Sequence, residues 1–487
     1  MLNFVDNWLN RITMYRLMLY FLTALIVEVF ILAVFKVLPY KPLDIILCVA
    51  ILIIVSWITN KIFSLLFKVP TNVESDYITA LILALIITPF TDQASLIFLV
   101  TAAVVAQASK YIIAWKGKHV FNPTAFAVVL TYFAINQGAS WWVGNMWTLP
   151  LIVIGGLLVT RKLQKFDLVL SFLVVALVAV LWSSPSIETL KTYLINSPIL
   201  FFAFVMLPEP LTTPPTKSLR IAYGALVGLF LSPSISFGSF YMTPELALVI
   251  GNIFSFIVSP KGKHLMTLKA KNLLAPETYE LVFEPKNKVN FQPGQYLEWT
   301  VNSSGADNRG NRRYFTIASS PTENDVRMGV KFYENPSSFK KLLMAMAPGS
   351  KILAGQLSGD FTLPKNENKK LAFIAGGIGI TPFRSMIQYF LDNKQKRDLV
   401  LFYTNKTPAD VAYKDFLDNA AQQLGIKVIY NFGPLTVDTI KSAAPDFANR
   451  TFYISGPHGL VDAFEKTLKD IGVPASQIKI DFFPGYA

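Results

Sequence analysis

The sequence predicts a membrane α-helical domain of ten spans, arranged as two inverted five-span repeats, fused to an antiparallel β-barrel and a doubly wound parallel α/β sheet. Three observations predict it. Apolar runs fill the chain to about residue 260 and stop there. Charged residues sit between those runs up to Pro260 and are interspersed from Lys261 onward. The last part alternates strand-like and helix-like segments around glycine turns. The expected domains are residues 1–260, 261–365 and 366–487.

Of the 487 residues 53% are hydrophobic and 15% charged, too apolar for an ordinary soluble chain. The ten apolar segments are 16–38, 43–67, 77–88, 94–114, 123–137, 147–160, 166–183, 197–208, 219–231 and 245–259. Several fall short of the roughly 20 residues of a straight span, but charge supports the count. With a cytoplasmic N-terminus, the inner loops hold Arg11, Arg16, Lys61, Lys68, Lys110, Lys116, Lys118, Arg161, Lys162, Lys165, Lys217, Arg220, Lys261 and Lys263. The outer loops hold only Lys36, Lys41 and Lys191. The formal charge of +13 is therefore expected to flank membrane spans rather than to bind nucleic acid. Leu17–Leu38 is long enough to span and has no small-residue processing site, so no cleavable leader is expected. Trp141 and Trp142, in an outer loop, are expected in an interfacial belt.

Residue counts exclude several redox groups. The single cysteine, Cys48, rules out an intrachain disulfide and a cysteine-ligated iron–sulfur cluster, and reads as a small buried hydrophobe. His119 is the only histidine before the break and lies in a loop, so a transmembrane haem pair lacks its ligands. No metal site is expected.

The two membrane halves match each other in order. LDIILCVAILIIVSW (43–57) parallels FDLVLSFLVVALVAVLW (166–182), and FNPTAFAVV (121–129) parallels MTPELALVI (242–250). The short span ending at Thr88-Pro89 parallels the one ending in MLPEP (206–210). An offset of five spans inverts the second copy, and paired proline-interrupted spans point to a central binding site. Glu28, in mid-span, is either a functional charge or a protonated or snorkelling glutamate. Glu209 sits where a broken helix ends, and Thr212, Thr213 and Thr216 either satisfy freed backbone or line a cofactor site.

KYIIAWKGKHVFNPTAFAVVL (110–130), DYITALILALIITP (76–89) and MLPEPLTTPPTKSLRIAYGALVG (206–228) resemble signatures of two related membrane proteins. One is a membrane component of the sodium-translocating NADH:quinone reductase (Nqr), the other its counterpart in the Rnf ferredoxin:NAD complex, and the resemblance covers essentially all ten spans. It implies a flavin within the membrane domain. In the family one FMN is usually esterified to a threonine of a long outer loop; the corresponding loop here, QGASWWVGNM (137–146), has no threonine. The resemblance thus leaves a noncovalent flavin, FMN or riboflavin, near Lys118, His119, Asn122, Glu209, Thr212 and Thr213. Glu209 replaces the family's aspartate, which puts ion coupling in doubt.

Beyond the break, TYELVFEP, GQYLEWTV, RYFTIASS, VRMGVKFYE and SKILAGQL read as short antiparallel strands. From Lys369, strand and helix alternate: LAFIAGG, TPFRSMIQYFLDN, DLVLFYTN, PADVAYKDFLDNAAQQL, KVIYNF, RTFYISG, GLVDAFEKTLKDI and KIDFF. Gly376, Gly377 and Gly379 follow the first of these strands, Thr381 suits a helix cap and Pro382 its first position. Glycines permit a tight turn and close backbone approach, and a helix N-terminus offers N–H groups to a phosphate. Ser455, Gly456 and Pro457 place a second turn at the same carboxyl edge.

RRYFTIASSP (312–321) resembles the FAD motif Arg-x-Tyr-Ser/Thr of the ferredoxin–NADP reductase family. The resemblance extends over the whole soluble half through GVKFY, NPSSFKKLL, AGGIGITP, SGP and FFPGY. It implies that Arg313 pairs with the FAD pyrophosphate, Phe315 stacks on the isoalloxazine and Thr316 bonds near its reactive nitrogen, with Tyr314 between them. It also implies that Val330, Lys331, Ser337 and Ser338 border the phosphates and that Phe483 and Tyr486 cover the flavin. Ser455 stands where the family's cysteine touches nicotinamide. Asn405 and Lys406 lie where a 2′-phosphate is judged, and NADH and NADPH both stay open.

The expected function is a multi-pass flavoprotein of a bacterial-type cytoplasmic membrane, with its soluble half in the cytoplasm. It passes electrons from NAD(P)H through FAD and a membrane flavin to an extracytoplasmic acceptor. A quinone reductase drawing quinone from lipid, and a redox-driven Na⁺ or H⁺ transporter using Glu28 or Glu209, are the alternatives. A mere anchor would need one span, not ten.

Overall fold

The computed structural model describes all residues except 1–2, 10, 68–72, 90–91, 233–234, 238–239, 261, 302–310 and 482–487. The chain divides into two compact units between Gly262 and Lys263.

The first unit is helical. Its elements are α1 (Asn3–Leu9), α2 (Met14–Val34), α3 (Pro42–Phe67), α4 (Val73–Ile86), α5 (Gln93–Ile112), the hairpin strands β1 (Ala114–Trp115) and β2 (Lys118–His119), α6 (Pro123–Ile135), α7 (Leu149–Leu163) and α8 (Phe166–Ser183). There follow α9 (Ile187–Ile195), α10 (Ile199–Phe201, continued by a π-turn over Phe202–Met206), α11 (Lys217–Phe230), the small hairpin β3 (Ser236–Phe237) and β4 (Phe240–Tyr241), and α12 (Pro244–Val258). Each of the ten apolar segments holds a helix, while α1 and α9 are additional. Both are short and carry charges that hide their apolar residues from a search for spans. By length and composition α2, α3, α5 and α8 are long and apolar enough to cross a membrane; α9 and α10 with its π-turn, bent by 58°, pass the same test only together, as a broken span or a re-entrant loop. On α8, Leu170, Val174 and Val178 are exposed at four-residue spacing, so one helix face turns apolar side chains outward.

The short helix α4 raises a backbone problem, since its last carbonyls have no partner within the helix. The loop after α6 solves it. The backbone N–H groups of Ser140 and Trp141 both donate to Ile86 O, at 2.9 and 2.8 Å, and that of Val143 to Leu85 O at 3.3 Å. The Trp142 indole donates to Ala84 O and Ile87 O at 3.0 and 2.9 Å. Trp141 and Trp142 are therefore buried, correcting the expectation of an interfacial belt; Trp141 also donates to Glu245 at 2.6 Å. The second broken segment ends in a π-turn, an irregularity that often marks functional positions. Pro208 O, just beyond it, accepts from the Lys165 ammonium at 3.0 Å.

α3 packs along α5 as α8 packs along α11, and α5 meets α6 as α11 meets α12. The second helix pair is close because Gly224 and Gly228 face α8. A Cβ on Gly224 would lie 2.6 Å from Leu168 O, and one on Gly228 2.6 Å from Phe172 O. Gly228→Leu is expected to push these helices apart and to destabilise the unit by about 1–3 kcal/mol, read as a lower unfolding temperature in detergent; Leu229→Ala, at an exposed neighbour, should change little.

The second unit has two lobes. The first is a six-stranded antiparallel sheet of β5 (His264–Ala275), β6 (Thr278–Pro285), β7 (Tyr296–Thr300), β8 (Arg312–Thr316), β9 (Val326–Lys331) and β10 (Lys351–Ser358), in the order β8-β7-β10-β5-β6-β9, with α13 (Ser338–Ala345) between β9 and β10. β5 is additional to the expected strands; its lysines and asparagine blur the alternation. The second is a parallel sheet of β11 (Leu371–Gly376), β12 (Leu399–Asn405), β13 (Lys427–Phe432), β14 (Thr451–Ser455) and β15 (Ile478–Ile480), ordered β13-β12-β11-β14-β15. Helices α14 (Thr381–Asp392), α15 (Lys414–Leu424), α16 (Val437–Ala443) and α17 (His458–Asp470) cover it. β11 is wholly buried, as expected of a central parallel strand. The chain order reverses between β11 and β14, the position at which such sheets take ligands.

Candidate functional site

The turns after β11 and β14 meet at that reversal. A Cβ on Gly379 would stand 2.5 Å from Ser455 O and 2.6 Å from the Gly456 Cα, so the two backbones touch. Gly376 is held as tightly, with Leu460 2.6 Å and Pro457 3.2 Å from the position of a Cβ. Gly377 turns at φ +52 with open space above it, a cradle that a side chain would fill. Thr381 is not the cap: Gly377–Ile380 form a 3₁₀ turn, Thr381 is already helical, and its hydroxyl donates to Ile378 O at 3.3 Å. The capping expectation fails because the 3₁₀ turn lets the backbone enter α14 without a side-chain acceptor.

The antiparallel lobe closes over this edge through a second glycine. Gly329 on β9 would place a Cβ 2.5 Å from the Thr381 methyl and 2.9 Å from the Ile378 Cδ1. Arg384 locks the two lobes: it donates to Ala318 O at 3.1 Å and pairs bidentately with Glu323, while the Ser385 hydroxyl donates to Ser319 O at 2.6 Å. Neither Gly329 nor this latch stands out in the sequence, because each matters only through its partner on the other lobe.

Strand alternation sorts the Arg313–Thr316 motif. Arg313 and Phe315 share a face against α13: the Phe315 ring lies 6.0 Å from that of Phe339, and the Arg313 guanidinium lies over the same ring at 5.5 Å. Tyr314 points the other way and donates to Glu298 at 2.9 Å, so it is removed from the face that Arg313 presents. Ser337 caps α13 by accepting from the Lys340 N–H at 3.3 Å, and Ser338 begins the helix. Val330 is buried in the core of the lobe, so only its backbone can face a ligand; Lys331 lies 3.9 Å from Asp410. Asn405 ends β12, with both amide atoms enclosed beside the Tyr403 hydroxyl. Phe483 and Tyr486 lie outside the described residues.

Thr316 and Ser455 are brought together by a residue that the sequence motifs do not include. Asp481 Oδ2 accepts from Ser455 Oγ at 2.9 Å and from Thr316 Oγ1 at 3.2 Å, joining the ends of β8 and β14. Its Oδ1 is enclosed and finds no partner among the described residues. Burial pushes the carboxyl up to about 7, against the pull of the two hydroxyls. An acid closing the final strand, in KIDFF, was the available signal.

The candidate residues of the first unit also converge. Glu209 Oε1 accepts from His119 Nε2 at 3.0 Å and its Oε2 from the Thr212 hydroxyl at 3.0 Å. Thr213 accepts from the Lys165 ammonium. The Asn122 side chain caps α6, accepting from the Ala125 N–H at 3.1 Å, while its own N–H donates to Asn252 at 2.7 Å. Burial lowers Lys118 to about 8 against the attraction of Glu209. Burial, helped by Arg220 and opposed by Asp167 and Glu209, lowers Lys165 to about 7. A cavity opens beside Glu209, walled by Asn122, Thr124, Ser75, Thr79 and Lys162 and by apolar side chains of α2, α4 and α7.

Residues 373–466 match the family described as oxidoreductase NAD-binding domain. Over 205 residues the chain is 27% identical to a flavohemoprotein of Pseudomonas putida, covering 39% of this chain and 51% of that one. Over 192 residues it is 26% identical to an NADPH oxidoreductase of Mycobacterium tuberculosis, covering 38% and 50%. The chain thus spans about half the length of the curated relatives it matches. Among solved structures, the flavohem-like FAD/NAD-binding domain of the nitric oxide dioxygenase of Vibrio cholerae aligns with a TM-score of 0.41 at 19% identity, over 45% of this chain and 98% of that one. Most of the parallel lobe thus matches the NAD-binding domain of oxidoreductases.

Two outcomes are expected. Gly379→Ala should weaken nicotinamide-nucleotide binding at least tenfold by titration, because the 2.5 Å approach to Ser455 O cannot be kept. Asp481→Asn should stabilise the unit by about 1–3 kcal/mol at pH 8 and by little at pH 4. The raised carboxyl favours the folded state only while protonated, so wild-type stability is lost as pH rises from the unfolded value toward 7.

Proposed function

We propose that the chain is a membrane flavoprotein that takes a hydride from cytoplasmic NAD(P)H onto FAD and passes the electrons into the N-terminal unit, toward an extracytoplasmic acceptor. The observation that carries the reading is the Thr316–Asp481–Ser455 junction, which puts an enclosed carboxyl oxygen between an FAD-type strand motif and a nicotinamide-side turn. Arg313, Phe315 and the start of α13 would hold FAD, and the Gly376–Gly379 and Ser455–Pro457 turns would hold the nucleotide. FAD, when bound, accepts electrons in pairs and releases them singly. The chain's own task is to orient both groups, exclude water and hold a proton at Asp481 Oδ1, which the two hydroxyls fix in place.

For the N-terminal unit, the resemblance to the Nqr and Rnf membrane components supports a membrane domain of ten spans and inverted repeats. The matching packing of α3 on α5 and α8 on α11, and of α5 on α6 and α11 on α12, favours the same symmetry. A bilayer core of about 30 Å calls for an intermediate carrier. Such a carrier would sit in the cavity beside Glu209, where Asn122, Thr124 and Lys162 supply polar groups and His119, Lys118 and Lys165 act through Glu209 from outside the wall. The cavity's apolar walls equally suit a quinone arriving from lipid, which is the second reading.

Flavin content after denaturation tests the reading: two flavins per chain are expected, and one alone would remove the membrane carrier. Arg313→Ala should lose FAD and at least 100-fold of dye reduction. Glu209→Ala should keep dye reduction within about twofold while losing the second flavin. Retention of that flavin should weaken as pH rises through about 7 to 8, because Lys165 and Lys118 discharge there. In wild type, dye reduction should fall as pH passes about 7, and Asp481→Asn should flatten that profile.

A further inference from the structure

A second polar cluster, which among the described residues shares no hydrogen bond with the His119–Glu209 pair, lies where α3, α4 and α5 meet. Asp76, at the start of α4, accepts from the Asn60 amide and lies 3.4 Å from the Lys110 ammonium. Lys110 also reaches Ser75 O and Oγ at 3.3 Å, and the Tyr111 hydroxyl donates to Asn60 Oδ1 at 2.5 Å. Asn60 is late in α3 and Lys110 ends α5, so both helices run toward Asp76 and α4 runs away from it. One turn back on each, about 6 Å from the Asn60–Tyr111 bond, stand Ser56 and Gln107, which are 1% and 0% exposed. Neither the Ser56 hydroxyl nor either amide atom of Gln107 has a partner among the described residues.

This arrangement selects its occupant. A bare cation would use Gln107 Oε1 and the serine oxygen and leave the amide N–H groups orphaned. Water both accepts from the amide and donates to the two oxygens, so it satisfies the whole set where a bare cation does not. We propose that Ser56 and Gln107 hold ordered water, and that this water with Asn60, Tyr111 and the Asp76–Lys110 pair forms a protonatable cluster that takes up a proton when an electron enters the neighbouring cavity. The inference rests on the reading that the N-terminal unit accepts electrons. Ser75 and Thr79 of α4 line that cavity, and Lys110 is near enough to feel Glu209 as well as Asp76. An added electron in a low-dielectric interior is unfavourable unless a positive charge follows it. The charges balance: the electron comes from NAD(P)H through the C-terminal unit, and one proton from cytoplasmic water joins the cluster, converting the Asp76 carboxylate to the acid. Among the described residues, charged groups nearby include Arg16 and Glu74, paired at 2.9 Å, Lys162 on the cavity wall and Lys61, exposed next to Asn60 on α3.

The test is redox-induced infrared difference spectroscopy on the full chain in detergent, reduced by NAD(P)H, in ordinary and heavy-oxygen water. Wild type should show a new carboxylic-acid band on reduction and a water O–H band that shifts in heavy-oxygen water. Asp76→Asn should lose the first band; Gln107→Leu and, more mildly, Ser56→Ala should lose the second and shift the first. Dye reduction should be unchanged in all three. A reducible membrane group with no acid band, bands untouched by both Gln107→Leu and Ser56→Ala, or a response to Na⁺ in place of heavy-oxygen water would overturn the inference alone. Absence of any reducible group beyond FAD would overturn the underlying reading and the inference together.

Discussion

The second unit depends on one shared acceptor. A single carboxylate oxygen of Asp481 receives hydroxyls from Thr316 on one lobe and Ser455 on the other. Without it, the end of β8 and the end of β14 lose their shared side-chain partner, although the Arg384–Glu323 latch still joins the lobes. The Gly379–Gly456 contact and the Gly329–Thr381 contact serve the same end, since each removes a side chain that would hold lobes or turns apart. The arrangement is one of close approach, which is what transfer between two bound ring systems requires.

The first unit answers a different constraint, the need to satisfy the backbone groups that broken helices leave unpaired among buried apolar side chains. The two solutions differ. The end of α4 is closed by backbone and indole donors of the Ser140–Val143 loop, whereas the carbonyl of Pro208 is met by Lys165. The first solution is neutral and rigid. The second brings a cation to within reach of Thr213 and the field of Glu209, so the same residue that satisfies backbone also sets the charge of the candidate site.

What was legible in the sequence follows from what is local. Apolar segments of helix length and the strand–turn–helix pattern around Gly376–Gly379 depend on neighbours within a few residues, and the helices and sheet lie where those patterns put them. Gathering Lys118, His119, Asn122 and Glu209 from distant segments was legible only through resemblance. Asp481, Gly329 and the Arg384–Glu323 latch stayed hidden because each takes its meaning from a residue on another lobe. Trp141 and Trp142 were misjudged for the same reason: their position in a loop between apolar segments suggested a lipid headgroup, while the unsatisfied end of α4 drew them inward. Tyr314 shows the limit of reading motifs by order alone, because alternation along β8 turned it toward Glu298.

The decisive question is whether reducing power gathered by the nucleotide-binding lobes crosses the helical unit. Sealed vesicles carrying the full chain, given NAD(P)H outside and a membrane-impermeant dye inside, measure this directly. Bleaching of the enclosed dye at a rate abolished by Arg313→Ala is the predicted result. Intact vesicles that oxidise NAD(P)H with an external dye yet leave the enclosed one coloured would contradict it.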